Sequence, residues 1–422
     1  MATARLLRQL EAVDWDFPVG LPGTASGVHW YPGTFPAALP TTLIQAFSKS
    51  NDLVFDPYAG VGTTALEALR QGRRAIAVEK NPVAILAIAT AASLVVLKSV
   101  KPGLEEYVLD NIEHVLGLGN DSTQGSLPLT HGHLLESTSN AIRDSLSPQI
   151  PLILNESIVG PPKWESLRVW IESSTLKEIR RLYEELIGNT DPDIFRLTGL
   201  TMLSAILRPA SSQTQSWGHI ADNVQPKAMV KKSAKSLCFN WLRRVRGMLR
   251  ETHVVPHSES NSFRVEVCHH DWLSDAPPRT HIREKPCLLI TSPPYANAID
   301  YSTAQRLSFY LFGYSDEGIA AAVSTEIGAR RKRFSSDSEE IWSTHLMMAL
   351  ENQLLLMDND PVICVLLPHK NAGREFGSEA IQVVLKEHGF QVAFEIDRSI
   401  RQSRTRQSWT SIKRETLRVY RK

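Results

Sequence analysis

Apolar and polar positions along the chain fall into two stretches of alternating strand-like and helix-like segments, with a purely helical stretch between them. From residue 52 the first stretch reads as an apolar run, DLVFDP, a glycine-bearing loop, YAGVGTT, and a helical segment, ALEALRQG. A second apolar run, RRAIAVEK, and a long apolar helix, NPVAILAIATAASL, follow. Strands alternating with helices in this way predict βαβ units and a parallel sheet. The alternation resumes with FRVEVCHHDWL and CLLITSPPY, two short strands that each run into a polar loop, and a helical segment near Tyr301 to Phe312. PVICVLLP then reads as a buried strand, SEAIQVVLKEHGF as a helix stopped by Gly389, and QVAFEID and ETLRVYRK as a closing pair of strands. The pattern thus predicts an α/β fold built on a sheet of seven strands.

Residues 101–261 lack strand alternation and carry helical stretches such as WESLRVWIESSTLKEIRRLYEELIG, broken at Pro161 and Pro162 and again at Asp191 to Asp193. The expected organisation is therefore an α/β domain made of residues 1–100 and 262–422, with a mainly helical insertion at 101–261. The run Val83 to Leu97 is apolar on every side except for Thr90 and Ser93. It is shorter than the roughly 20 residues that cross a bilayer, and a helix apolar all round is expected to be buried on all sides.

Composition narrows the class. Apolar residues make up 42% and charged residues 22% of the 422 residues, which excludes disorder, collagen-like repeats and coiled coil for the whole chain. A net charge of +1 neither announces nor forbids a polyanionic partner, since distribution matters more than sum. Cys238, Cys268, Cys287 and Cys364 form no C-x-x-C pair, which argues against a zinc site or a disulfide scaffold. No metal and no membrane are expected. The N-terminal segment, with Glu11, Asp14 and Asp16, lacks an apolar signal core, so a reducing cytoplasm is the default compartment.

Candidate chemistry concentrates at strand ends. In DPYAGVGTT, Gly60 and Gly62 let the backbone approach a ligand at the carboxyl edge of a sheet. The spacing differs from that of a dinucleotide-binding loop, and Asp56 would repel a pyrophosphate while suiting a cationic amino-acid group. Glu79 ends the second strand, where a carboxylate accepts hydrogen bonds from ribose hydroxyls. At the end of CLLI stands TSPPY, Thr291 to Tyr295. The Ser292 hydroxyl and the Pro293 carbonyl are acceptors suited to an exocyclic amine, and Tyr295 is placed to stack on the ring that bears it.

Together DPYAGVGTT and TSPPY resemble the first and fourth motifs of the amino-methylating DNA methyltransferases, a resemblance that covers residues 29–100 and 263–301. It implies a Rossmann-like seven-stranded sheet, S-adenosylmethionine as cofactor and methyl transfer to cytosine N4 or adenine N6. Ser-Pro-Pro-Tyr is the spelling usual among cytosine-N4 enzymes, which makes Ser292, Pro293, Pro294 and Tyr295 the implied catalytic set. The implied cofactor site comprises Asp56, Tyr58, Ala59, Gly60, Gly62, Thr63 and Thr64 of the loop, with Glu79, Lys80 and Asn81. HWYPGTFP looks like the family's tenth motif and adds His29 and Tyr31; in HHDWL, Asp271 is similar in place to the acid that bonds the adenine amine. The partner so implied is double-stranded DNA, and a cognate restriction endonuclease would be in keeping with it. An RNA amino-methyltransferase and a catalytically silent nucleic-acid-binding protein are the alternative readings.

Charge becomes informative inside the insertion. From Lys227 to Arg250 there are eight Lys or Arg and no Asp or Glu. In a base-modifying enzyme, Lys227, Lys231, Lys232, Lys235, Arg243, Arg244, Arg246 and Arg250 are expected to form a phosphate-binding surface, with Arg401, Arg404 and Arg406 as the second choice. Trp164, Trp170, Trp217 and Trp241 are assigned to helix core.

Overall fold

The apolar runs become β1 (Leu53–Asp56), β2 (Arg74–Glu79), β3 (Val265–His269), β4 (Leu288–Thr291), β5 (Val362–Pro368), β6 (Gln391–Ser399) and β7 (Arg414–Arg421). In the computed structural model they form one sheet in the order β3-β2-β1-β4-β5-β7-β6. The structure describes residues 2–17, 25–118, 159–189, 193–213, 220, 223–255, 264–274, 277–278, 280–296, 299–330, 337–368, 378–399 and 414–422. Strands β1 to β5 run parallel, and β7 lies antiparallel between β5 and β6. This is the expected α/β, Rossmann-like sheet of seven strands. Every residue of β1, β4 and β5 is buried, which is why these strands read as continuous apolar runs.

Alternate side chains of the strands point to two cores. Leu53, Phe55, Ile76 and Val78 pack with Trp342, Leu346, Ile381 and Val384 of the helices Ser338–Leu354 and Ser378–Glu387. Val54, Ala75 and Ala77 pack on the opposite face with the helices Ala38–Phe47, Thr63–Arg70 and Pro82–Val100.

The helices of residues 101–261 lie outside that second face and continue its core. Leu109, Ile179, Leu203, Cys238 and Leu242 belong to the same apolar cluster as Ile85 and Leu94. The helix Pro82–Val100 is consequently covered on both sides, and every residue from Pro82 to Leu97 is buried. Its two interior hydroxyls are satisfied: Ser93 Oγ donates to the Ala89 carbonyl, and Thr90 Oγ1 lies 2.8 Å from Thr201 Oγ1 of the helix Asp193–Ala210. By length and composition this helix could cross a membrane, but 83% of its apolar window is buried inside the fold. Trp170 and Trp241 are core residues, Trp164 packs edge-on against Tyr183, and Trp217 lies outside the described residues.

Candidate active site

A cavity of about 420 Å³ opens at the carboxyl ends of β1, β2, β3 and β4. Between β1 and β4 the strand order reverses, the place where open α/β sheets bind ligands because the flanking loops diverge there. The glycine loop crosses this edge between β1 and the helix Thr63–Arg70. Gly60 has φ +54°, and a Cβ there would stand 3.4 Å from the Tyr31 ring. Gly62 has φ +84°, and its Cβ would come within 3.0 Å of Ile88 on the buried helix. One glycine opens the loop toward the cavity, and the other seats it on the core.

Glu79 ties the two strand ends together. Its Oε2 accepts from the Gly60 amide at 2.9 Å, while Oε1 accepts from the amides of Lys80 and Asn81 at 2.8 and 2.9 Å. Burial pushes the carboxyl up to about 7, against these three amides, which favour its ionised form. Asp271, after β3, takes Lys80 Nζ at 2.7 Å, and the same ammonium donates to the Thr325 carbonyl. Among the described residues lining the cavity, Lys80 is the single Lys or Arg, so the site offers acceptors and aromatic walls and has no cationic phosphate cradle.

Ser292 and Pro294 reach the same cavity from β4. The turn is fixed from both sides: Thr291 Oγ1 donates to Asp56 Oδ1 at 3.1 Å, and Trp342 Nε1 donates to the Pro294 carbonyl at 3.0 Å. Tyr31 stacks on Tyr301, with ring centroids 5.5 Å apart, and so closes the side opposite the sheet.

Of the residues singled out in the sequence, Tyr31, Tyr58, Ala59, Gly60, Thr63, Glu79, Lys80, Asn81, Asp271, Ser292 and Pro294 line the cavity. Others stand behind it. His29 is buried, with Nδ1 2.7 Å from the Trp30 carbonyl and Nε2 2.9 Å from Ser204 Oγ; burial pushes its imidazole down to about 4. It joins the segment before the helix Ala38–Phe47 to the helical layer. Asp56 is also buried, which pushes its carboxyl up to about 6, and it serves the turns after β1 and β4 by accepting from the Tyr58 amide and Thr291. Gly62 packs on the core, Thr64 and Pro293 are buried, and the Tyr295 hydroxyl accepts from Ser292 Oγ and donates to Glu415 of β7.

Sequence reasoning missed Tyr301, Ser302 and Glu326 on the cavity wall. Glu326 accepts from the amides of Tyr301 and Ser302 at 3.0 and 2.7 Å, and burial pushes its carboxyl up to about 7. The helical segment near residues 301–312 is broken at Gln305 into Tyr301–Ala304 and Arg306–Leu311, so its amino-terminal amides turn toward this carboxylate. No motif announces such a contact, because the partner comes from a different part of the chain.

The residues of the basic run differ in their partners. Arg246 is enclosed by Glu106, Asp110 and Glu113, with N to O distances of 2.6 to 3.0 Å. Lys232 Nζ donates to the carbonyls of Pro209 and Ser211, and Lys235 Nζ to that of Gly117. Arg250 lies 3.8 Å from Glu106. Lys227, Lys231, Arg243 and Arg244 are exposed. Arg246 and Arg250 thus meet acids that their own stretch of sequence lacks, on the helix Leu104–Val115. Arg401, Arg404 and Arg406 lie outside the described residues.

A seven-stranded α/β sheet of this order thus carries a glycine loop, an acidic second strand end and a Ser-Pro-Pro-Tyr turn at one strand-edge cavity. The family described as DNA methylase, covering the N6 and N4 methyltransferases, matches residues 15–90. The chain is 38% identical over 68 residues to the type II methyltransferase M.ScaI of Streptomyces caespitosus, covering 15% of this chain and 22% of that protein. It is 41% identical over 54 residues to a protein of Escherichia coli strain K12 named "Putative methylase YubD", covering 13% of this chain and 24% of that one. The chain therefore spans less than a quarter of the length of the curated relatives it matches, and its likeness to the N6 and N4 DNA methylase family lies in residues 15–90.

Proposed function

We propose that the chain is a methyltransferase that uses S-adenosylmethionine to methylate the exocyclic amine of a base in double-stranded DNA, with cytosine N4 as the target. The observation that carries this reading is that Ser292 shares one cavity with Glu79 and Gly60, so an amine-holding group and a ribose-holding group meet at a single strand edge.

The cavity fits the cofactor in size and chemistry. Its volume lies within the range of small-molecule sites, Gly60 leaves open the space that a side chain would fill, and Glu79, Asp271 and Glu326 offer acceptors for hydroxyl and amino groups. When bound there, the cofactor supplies an electrophilic methyl group. Glu79 would hold the ribose hydroxyls, Asp271 the adenine amine, and Tyr31 would cover the ligand. Ser292 Oγ would accept a hydrogen of the target amine and help turn its lone pair toward the methyl carbon. Holding both reactants at one edge converts a bimolecular encounter into an oriented one, the largest rate contribution open to a site without a nucleophile. The amine is paired inside a duplex, so the base must leave the stack to reach this cavity, at a cost of a few kcal/mol.

Incubation with cofactor and duplex DNA, followed by mass spectrometry of the nucleosides, tests the reading. N4-methylcytosine is the expected product. N6-methyladenine alone would overturn the base assignment, methylation of RNA alone would overturn the DNA assignment, and no methylated nucleoside would overturn the activity.

A further inference from the structure

From the cavity wall a chain of polar groups runs from the turn after β4 to β7 and β6. Ser292 Oγ donates to the Tyr295 hydroxyl at 2.9 Å, and that hydroxyl donates to Glu415 Oε1 at 2.8 Å. The other Glu415 oxygen forms an ion pair with Nη1 of Arg398, and Arg398 Nε donates to the Trp15 carbonyl. Glu415 and Arg398 are 8% and 4% exposed, so these groups have exchanged water for one another. Glu415 reaches the site because β7 is antiparallel. The start of that strand, where Glu415 pairs with Pro368 of β5 and Arg398 of β6, lies at the edge where the parallel strands end.

We propose that Glu415 is a positioning residue that fixes the Ser292 hydroxyl as a hydrogen-bond acceptor toward the target amine. A carboxylate held in an ion pair with Arg398 has no proton to give, so the Tyr295 O–H must donate to it. The Tyr295 oxygen is then an acceptor, and the Ser292 O–H must donate to it. Ser292 is left with only lone pairs to offer the cavity, and an amine that needs acceptors finds one already oriented. Burial and the Glu415 carboxylate push the Tyr295 phenol well above its ordinary range, which keeps it a donor. A serine that could rotate freely would present its own proton to the amine part of the time. In this arrangement Tyr295 acts through its hydroxyl.

The inference rests on the methyltransferase reading, and its test separates the two. Glu415→Gln offers Tyr295 an amide that can donate, which reverses or breaks the chain; Tyr295→Phe removes the link without touching the Arg398 and Glu415 pair. Each variant, measured in the full chain with cofactor and duplex DNA, is expected to lower kcat on the order of 100-fold, the effect of a lost orientation, with calorimetric cofactor affinity unchanged. The double variant should be no slower than the slower single one, since both cut the same chain. Parental kcat in the folded Tyr295→Phe variant, or losses that multiply in the double variant, would overturn the inference and leave the methyltransferase reading standing. A parent chain that methylates no nucleic acid would overturn that reading and this inference with it.

Discussion

The Glu79 carboxylate accepts the Gly60 amide at 2.9 Å, so the end of β2 holds the glycine loop that follows β1. The same oxygen keeps a second lone pair for a ligand. A residue expected to bind a ribose is thereby also the organiser of the loop beside it.

Glu79→Gln should weaken S-adenosylmethionine binding by about 1 to 3 kcal/mol, because an amide replaces one acceptor where only N–H donors converge. Isothermal titration calorimetry measures it directly, and parental affinity in the variant would remove Glu79 from the site.

The raised carboxyl of Glu79, about 7, also sets a pH dependence. Acceptance of ribose hydroxyls is strongest when it is ionised, so affinity should rise between about pH 6 and about pH 8. Glu326 titrates in the same range and direction. The part of the rise belonging to Glu79 is the part missing from Glu79→Gln, read from calorimetric titrations of both proteins across the range.

His29 contributes with the opposite sign to the buried carboxylates. Its imidazole is held neutral, down at about 4 against an ordinary 6.5, so its contribution to stability is complete above pH 6.5 and is lost as pH falls toward 4. His29→Gln should therefore be penalised most near neutral pH and least near the acid end. Urea unfolding of parent and variant at several pH values would show the gap between them narrowing on acidification; a constant gap would mean that the imidazole is not buried neutral.

Gly62→Ala should destabilise the fold by about 1 to 3 kcal/mol, since it joins a left-handed φ to a Cβ within 3.0 Å of Ile88. Ile88→Val in the same chain trims the obstructing group and should recover part of the loss in melting temperature. No recovery would leave backbone conformation as the whole cause.

Arg246→Gln and Arg243→Gln should part company. The first leaves Glu106, Asp110 and Glu113 facing one another around a lost cation and should lower stability by about 1 to 3 kcal/mol. The second, at an exposed position, should leave stability within about 0.5 kcal/mol and act only on nucleic-acid affinity, flattening its salt dependence by about 0.9 in slope if the contact is to a phosphate. Thermal melts and a salt series of binding isotherms distinguish the two.

The strands were legible because burial on both faces leaves no polar alternation in VICVLLP or DLVFDP, and the cavity was legible where its residues are neighbours in sequence, as in the glycine loop and in TSPPY. Contacts between distant segments were not. Glu326 and Glu415 carry no local signature, because each is defined by the hydroxyls and amides that other parts of the chain bring to it. Arg246 shows the converse, a residue whose sequence neighbours suggest a free cation and whose spatial neighbours cancel it. His29 sits in a motif-like segment, yet a single hydroxyl on Ser204 decides that it belongs to the core.

The double cover on the helix Pro82–Val100 also bears on how the chain is made. While the ribosome works through the following segments, this helix has only β1, β2 and its early neighbours to lie against, and the helix Asp193–Ala210 that roofs it does not yet exist. A stalled or truncated product ending before Asp193 would carry a partly uncovered apolar rod long enough to pass for a membrane anchor, and it would be drawn to chaperones, lipid or other copies of itself.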